Sequence, residues 1–205
     1  MNTRPLIHVV DDDDSLRTAL LRLLGASGYE AQGYASTGDF LLSPPPDRPG
    51  CLLLDVRMPG PSGLDLQAAL QRQGIGLPIV FLSGYADVVT SVRAMKAGAV
   101  DFLTKPVTRE DLMDALRLAL ERDALQRQAR ADAAWLRACF AKLTARERTV
   151  FDRIVAGRLN KLIADELGIA ERTVKLQRAQ LMAKLGVRSA AELGLLAERL
   201  RHLPD

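Results

Sequence analysis

The stretch LIHVVDDDDSLRTALLRLL, residues 6–24, decides the fold. A short apolar run leads straight into four adjacent carboxylates, and the pattern then turns helical. Neighbouring acids repel one another, so their place directly after a strand-like run and directly before a helix needs a reason. A helix start supplies part of it. An Asp at the N-cap accepts backbone N–H bonds, and a second one favours the positive end of the helix dipole. Asp13 and Asp14 fit that role, which leaves Asp11 and Asp12 to be explained.

Up to about residue 120 the same strand-then-helix order repeats. The expected strands are Leu6–Val10, Glu30–Tyr34, Cys51–Asp55, Pro78–Leu82 and Asp101–Lys105. LIHVV, CLLLD and PIVFL are nearly continuous apolar runs, as parallel strands covered on both faces require. Helical patterns lie between them at Ser15–Ser27, Thr37–Leu42, Leu64–Gln73, Val88–Ala97 and from Arg109 onward. Such βα units predict an α/β fold with a five-stranded, doubly wound parallel sheet. SPPPDRPG (43–50) reads as a loop before the third strand.

In an open α/β sheet, ligands bind at the carboxyl ends of the strands. Those ends carry Asp11 and Asp12 after the first strand, Asp55 at the third, Ser83 after the fourth and Lys105 after the fifth. Clustered carboxylates do not all stay ionised without a cation, and an all-oxygen acidic site suits Mg2+. A carboxylate beside such an ion can attack a phosphoryl group and become an aspartyl phosphate. Asp55 ends the most buried of the expected strands and is fixed in place, so it is the expected nucleophile, with Asp11 and Asp12 on the metal side. Lys105 offers a charge, and Ser83 a hydroxyl, to the equatorial oxygens of the transferred group.

Charge divides the chain. Residues 1–121 hold 11 Lys/Arg against 15 Asp/Glu, whereas residues 122–205 hold 17 against 10. An acidic front and a basic back imply two domains, the second drawn to polyanions. Cys51 and Cys139 stand far apart in no metal-type spacing, which argues against a disulfide framework and fits a reducing cytoplasm. No apolar run approaches the roughly 20 residues of a membrane span, and the apolar run after MNTRP is too short for a secretory leader.

Beyond residue 108, REDLMDALRLALERDALQRQARADAAWLRACFAKL (109–143) is a continuous run of helix formers with a loose heptad through Leu118, Leu125, Ala129, Leu136 and Leu143. Arg122 and Asp132 fall in that seam and weaken a coiled-coil reading. Thr144 and Glu147 have capping-box spacing, as do Ser189 and Glu192, and Asn160 is expected to cap a helix over Lys161–Leu167. That helix and the next, from about Glu171 to Leu185, have the lengths and Gly-containing turn of a helix-turn-helix. Along the latter, Val174, Gln177, Leu181 and Leu185 are spaced to face inward, and Thr173, Lys175, Leu176, Ala179 and Gln180 to face away. Such a face suits a major groove, where an amine reads guanine and apolar groups meet thymine methyls. Asn160, Lys161, Arg172 and Arg178 are candidates for phosphate contacts.

The pattern VVDDDDS (9–15), LLLDVRMPGPSGLDL (52–66), PIVFLSGYADV (78–88) and AMKAGAVDFLTKPV (94–107) resembles the receiver domain of bacterial two-component response regulators. The whole chain resembles the FixJ/NarL (LuxR-type) class, close to its FixJ-like and styrene-regulator-like members. The resemblance implies phosphorylation at Asp55, with Mg2+ held by Asp12, Asp55 and the backbone carbonyl of Arg57, and Asp11 acting through water. It implies a switch in which the Ser83 hydroxyl moves towards the phosphoryl group and the Phe102 ring turns inward. From the residues alone, Phe102 reads as ordinary core and His8 as a packed strand histidine. The family also has a cis peptide at the position of Lys105–Pro106.

Residues 143–193 resemble the four-helix LuxR-type DNA-binding module, with Gln177 where the family often has His and Ala170 where it often has Ser. The expected division is a receiver at 1–121, a helical linker at 122–140 and a DNA-binding domain at 141–205. No ATP-binding motif is present, so the phosphoryl donor is expected to be a sensor histidine kinase. Phosphorylation is then expected to promote a homodimer on double-stranded promoter DNA, with RNA polymerase as a further partner. Two other readings stay open. A phosphohydrolase of the haloacid-dehalogenase type would have a second Asp two residues after the nucleophile, where this chain has Arg57. A DNA-binding protein with a vestigial receiver would never take phosphate.

Overall fold

The structure, a computed structural model, describes residues 4–43, 45–84 and 88–202. The chain divides into two compact units, residues 1–127 and 128–205. In the first, β1 (Leu6–Val10), β2 (Glu30–Tyr34), β3 (Gly50–Asp55), β4 (Ile79–Ser83) and β5 (Asp101–Thr104) form one parallel sheet in the order β2-β1-β3-β4-β5. The helices α1 (Asp14–Ala26), α2 (Thr37–Leu42), α3 (Gly63–Arg72), α4 (Val88–Lys96) and α5 (Arg109–Ala141) follow the strands in turn. Strand bounds fall within a residue of those expected; β4 lies one residue later, so Ser83 ends the strand rather than following it. Pro44, inside the expected loop, lies outside the described residues.

Strand alternation sends side chains to opposite faces. Ile7, Val9, Cys51, Leu53, Val80 and Leu82 pack against α1 and α5 through Leu20, Leu24, Leu112, Leu116 and Ala119. On the other face, Val10, Leu52, Leu54 and Phe81 meet Phe40, Leu66, Leu70 and Ala94. With both faces covered, the continuous apolar runs of β1, β3 and β4 are fully accounted for. His8 is buried within that second face, its Nδ1 3.0 Å from the Tyr34 hydroxyl, as a packed strand histidine. Burial, with the Arg48 charge, lowers its pKa to about 4.

The second unit holds α6 (Ala145–Val155), α7 (Asn160–Leu167), α8 (Glu171–Leu185) and α9 (Ala190–Arg201). Their core is Val150, Phe151, Ile154, Ile163, Val174, Leu181, Leu185, Leu193 and Leu196, joined by Leu136 and Cys139 from the tail of α5. The Thr144–Glu147 capping box is complete, each side chain bonding the other residue's backbone N–H. Gly168 and Gly186 close α7 and α8 in the left-handed conformation that glycine adopts without strain.

Two capping expectations are corrected. Asn160 is the first residue of α7 rather than its N-cap; Leu159 stands there with no side-chain cap, and the Asn160 amide turns to α8 instead. Ser189 does cap α9, but Glu192 returns its hydrogen bond to the Arg188 N–H rather than to Ser189, so that box is half-formed. Within the stretch read as linker, Asp123 and Arg127 bond to residues of the first unit, whereas Leu136 and Cys139 lie in the core of the second. Cys51 and Cys139 are buried free thiols. No helix among the described residues is long and apolar enough to cross a membrane.

Candidate functional site

β1 and β3 are neighbours, and the strand order reverses there, so their carboxyl ends flank the crevice where such sheets bind ligands. Asp11 follows β1, Asp55 ends β3, and Asp12 follows Asp11. Carboxylate oxygens of the three lie within 4.8 Å of one another. Asp11 is fully buried and Asp55 nearly so, while Asp12 is exposed. Lys105, just past β5, reaches in: its Nζ lies 2.7 Å from Asp11 Oδ2 and 3.3 Å from Asp55 Oδ2. Ser83, at the end of β4, is buried beside them in the strand next to Asp55. The expected set thus converges on one sheet edge from four segments. Arg57 is exposed two residues after Asp55, and Phe102 is half-buried on β5 with its ring 6.1 Å from that of Phe81. The Lys105–Pro106 peptide is cis.

Local sequence explains this precision. Asp13 caps α1, accepting from the N–H groups of Ser15 and Leu16, and Asp13 in turn donates its N–H to Asp11 Oδ1 at 3.0 Å. Arg17, one turn into α1, donates to the Asp11 carbonyl at 2.6 Å and pairs with Asp14. The four acids therefore split into two that aim at the crevice and two that start the helix. Gly63 opens α3 directly against Asp55: a Cβ there would lie 2.2 Å from the Asp55 carbonyl oxygen. Only glycine permits that approach.

The charges are unbalanced. Burial, reinforced by the Asp11 charge, raises the Asp55 pKa, and Lys105 pulls it partly back. Burial also works against the Lys105 charge, but Asp11 and Asp55 more than offset it and hold its pKa above the ordinary lysine value. Three carboxylates facing one ammonium leave negative charge unmet, and all the donors are oxygen. That set fits a hard divalent cation with open coordination positions.

In the second unit, the outward face of α8 presents Lys175, Leu176, Ala179 and Gln180, all exposed, with Arg172 exposed at its start. Val174, Leu181 and Leu185 are buried as the spacing predicts; Gln177 is partly buried with its Oε1 unpartnered. Thr173 is half-buried rather than fully outward. Lys175 pairs with Glu171 at 3.0 Å, Lys161 is exposed on α7, and Arg178 Nη1 donates to Asn160 Oδ1 at 3.1 Å. Sequence reasoning passed over Asp123, buried on α5 and bonded to the Gly50 N–H, and Lys184, which pairs with the capping Glu147 at 2.7 Å.

Residues 7–117 match the family model described as the response regulator receiver domain, and residues 141–197 match that of bacterial regulatory proteins of the luxR family. Nodulation protein W of Bradyrhizobium diazoefficiens is 44% identical, the match covering 97% of this chain and 88% of that protein. The low-resolution structure of the response regulator StyR is 45% identical with a TM-score of 0.87, over 96% of this chain and 100% of that one. Full-length FixJ from B. japonicum is 37% identical with a TM-score of 0.60, over 99% and 100%.

Proposed function

The chain belongs to the response regulators that join a receiver to a LuxR-type DNA-binding domain, phosphorylation-controlled regulators of transcription, and on that premise we propose that Asp55 is the phospho-acceptor. The observation that carries this assignment is the convergence of Asp11, Asp12, Asp55 and Lys105 on one sheet edge. An Asp55 carboxylate oxygen attacks the phosphorus of a sensor histidine kinase's phosphohistidine. The new O–P bond forms as the P–N bond breaks, and the electron pair leaves on the imidazole nitrogen. Lys105, already poised against Asp55, neutralises one equatorial oxygen, and the Ser83 hydroxyl donates to another. Asp11, Asp12, Asp55 and the Arg57 carbonyl would hold Mg2+, which supplies a positive charge against the crowded carboxylates and the incoming phosphate.

Adding a dianionic group beside Ser83 changes what its hydroxyl bonds, and Phe102 follows on the neighbouring strand. The two form the switch. It reshapes the face of α4, β5 and α5, where Val88, Val89, Val92, Met95 and Leu118 are exposed. A homodimer formed there brings two α8 helices to half-sites about 10 bp apart on promoter DNA. Lys175, Leu176, Thr173 and Ala179 read base edges, while Lys161, Arg172 and Arg178 contact phosphates. DNA places the protein in the cytoplasm, with RNA polymerase as its downstream partner. The test is DNA affinity with and without acetyl phosphate and Mg2+. The donor should raise wild-type affinity roughly 5- to 150-fold, the usual span of allosteric coupling, and should leave Asp55→Asn unchanged. An equal rise in the variant contradicts the assignment.

A further inference from the structure

Asn160 stands at the first position of α7, yet it does not cap that helix; its Oδ1 accepts a hydrogen bond from Arg178 Nη1, 18 residues later on α8. Asn is a mediocre helix former, and at this position its side chain makes no capping hydrogen bond to α7. What it supplies is an acceptor on the adjoining helix. Arg178 lies four residues after the buried Val174 and three before the buried Leu181, so it flanks the inward stripe, half-buried along α7. From the structure we infer that Asn160 is a positioning residue: it fixes the Arg178 guanidinium before DNA arrives and binds the duplex through Arg178, not by itself.

The physical reasoning has two parts. A free arginine loses rotamer entropy when it is immobilised on a phosphate. A hydrogen bond made in the free protein removes part of that cost from the binding step. The chemistry of the acceptor matters as much. A carboxylate here would neutralise the guanidinium and compete with phosphate for it, whereas the amide oxygen orients the group and leaves its full charge. One N–H is committed to Asn160; the remaining donors of the fork stay available for a phosphodiester.

This inference rests on the reading of Arg178 as a phosphate contact, and a double-mutant cycle separates the two. The probe is a mixed-sequence duplex, bound by the full chain across a salt series, because phosphate contacts are read without regard to sequence. Arg178→Ala should weaken binding and make the slope of log K against log salt shallower by about 0.9, one phosphate's worth. Asn160→Ala should weaken binding about threefold to tenfold with the slope kept, since the charge remains. In the double variant the Asn160 effect should vanish. Asn160→Ser, suited to a helix's first turn, repeats the test should Ala disturb α7. If Arg178→Ala binds as wild type does, the phosphate reading fails. Should Arg178→Ala weaken binding while Asn160→Ala costs the same factor with or without Arg178, Asn160 acts independently and the inference is overturned.

Discussion

Asp123 Oδ2 accepts a hydrogen bond from the Gly50 backbone N–H at 3.0 Å, across 73 residues of sequence. Asp123 sits midway along α5 and is buried, and its carboxylate is also held by Arg127 Nε at 3.0 Å. Arg127 in turn reaches Asp47 at 2.7 Å and the Arg48 carbonyl. The helix is thereby fastened to the start of β3, at the opposite end of that strand from Asp55. Gly50 itself admits no side chain, because a Cβ would lie 2.2 Å from the Leu6 carbonyl oxygen. We therefore propose that the receiver extends through this clasp rather than stopping at residue 121.

Asp123→Ala leaves a buried N–H unpaired and takes from Arg127 the buried one of its two acids, so it should destabilise the first unit by about 3 kcal/mol. Denaturant unfolding of the full chain measures this. A receiver fragment ending at residue 121 should show a similar loss beside one ending at 127, and equal stability of the two fragments would contradict the clasp.

That clasp was not legible in the sequence, and the reason is physical. The apolar runs declare β1, β3, β4 and the two-sided core directly, because period and length are local properties. The carboxyl-edge rule then gathers Asp11, Asp12, Asp55 and Lys105 without any coordinates. Asp123 instead lies in a uniform, charge-rich helix, where a buried acid looks like its solvated neighbours until β3 is brought beside it. Asn160 failed for a related reason: an Asn just before a helical run suggests a cap, and only the placement of α8 shows where its amide turns. For Ser189 and Glu192 the spacing was right, but the neighbouring Arg188 N–H took the carboxylate.

Lys105→Ala removes the ammonium that Asp11 and Asp55 share. Two buried carboxylates then face each other, and the ion-free receiver should lose about 3 kcal/mol. A divalent cation replaces the missing charge, so Mg2+ should raise the melting temperature of the variant more than that of wild type. Thermal unfolding with and without Mg2+ checks this; a smaller Mg2+ effect in the variant would count against the cation site.

His8 gives the fold an acid-sensitive component. Its pKa falls from an ordinary 6.5 to about 4 on folding, so between those values the unfolded chain binds a proton that the folded chain refuses. Stability from this group is complete above about pH 6.5, declines as pH drops towards 4, and levels off below. The total is on the order of 3 kcal/mol. His8→Gln should flatten that part of the stability–pH curve, measured by urea unfolding at several pH values. An unchanged slope would show that other groups carry it.

Two substitutions on α8 separate reading from positioning. Lys175→Ala should relax sequence preference by about 1–3 kcal/mol at the base it reads. Arg172→Ala should weaken all sequences alike, with a salt slope shallower by about one. Binding selections on randomised duplexes distinguish the two patterns.

The most direct measurement is the intact mass of the full chain after incubation with acetyl phosphate and Mg2+. Wild type should gain the mass of one phosphoryl group, and Asp55→Asn should gain none. A wild-type chain that keeps its original mass, or an Asp55→Asn chain modified to the same extent, would contradict phosphorylation at Asp55.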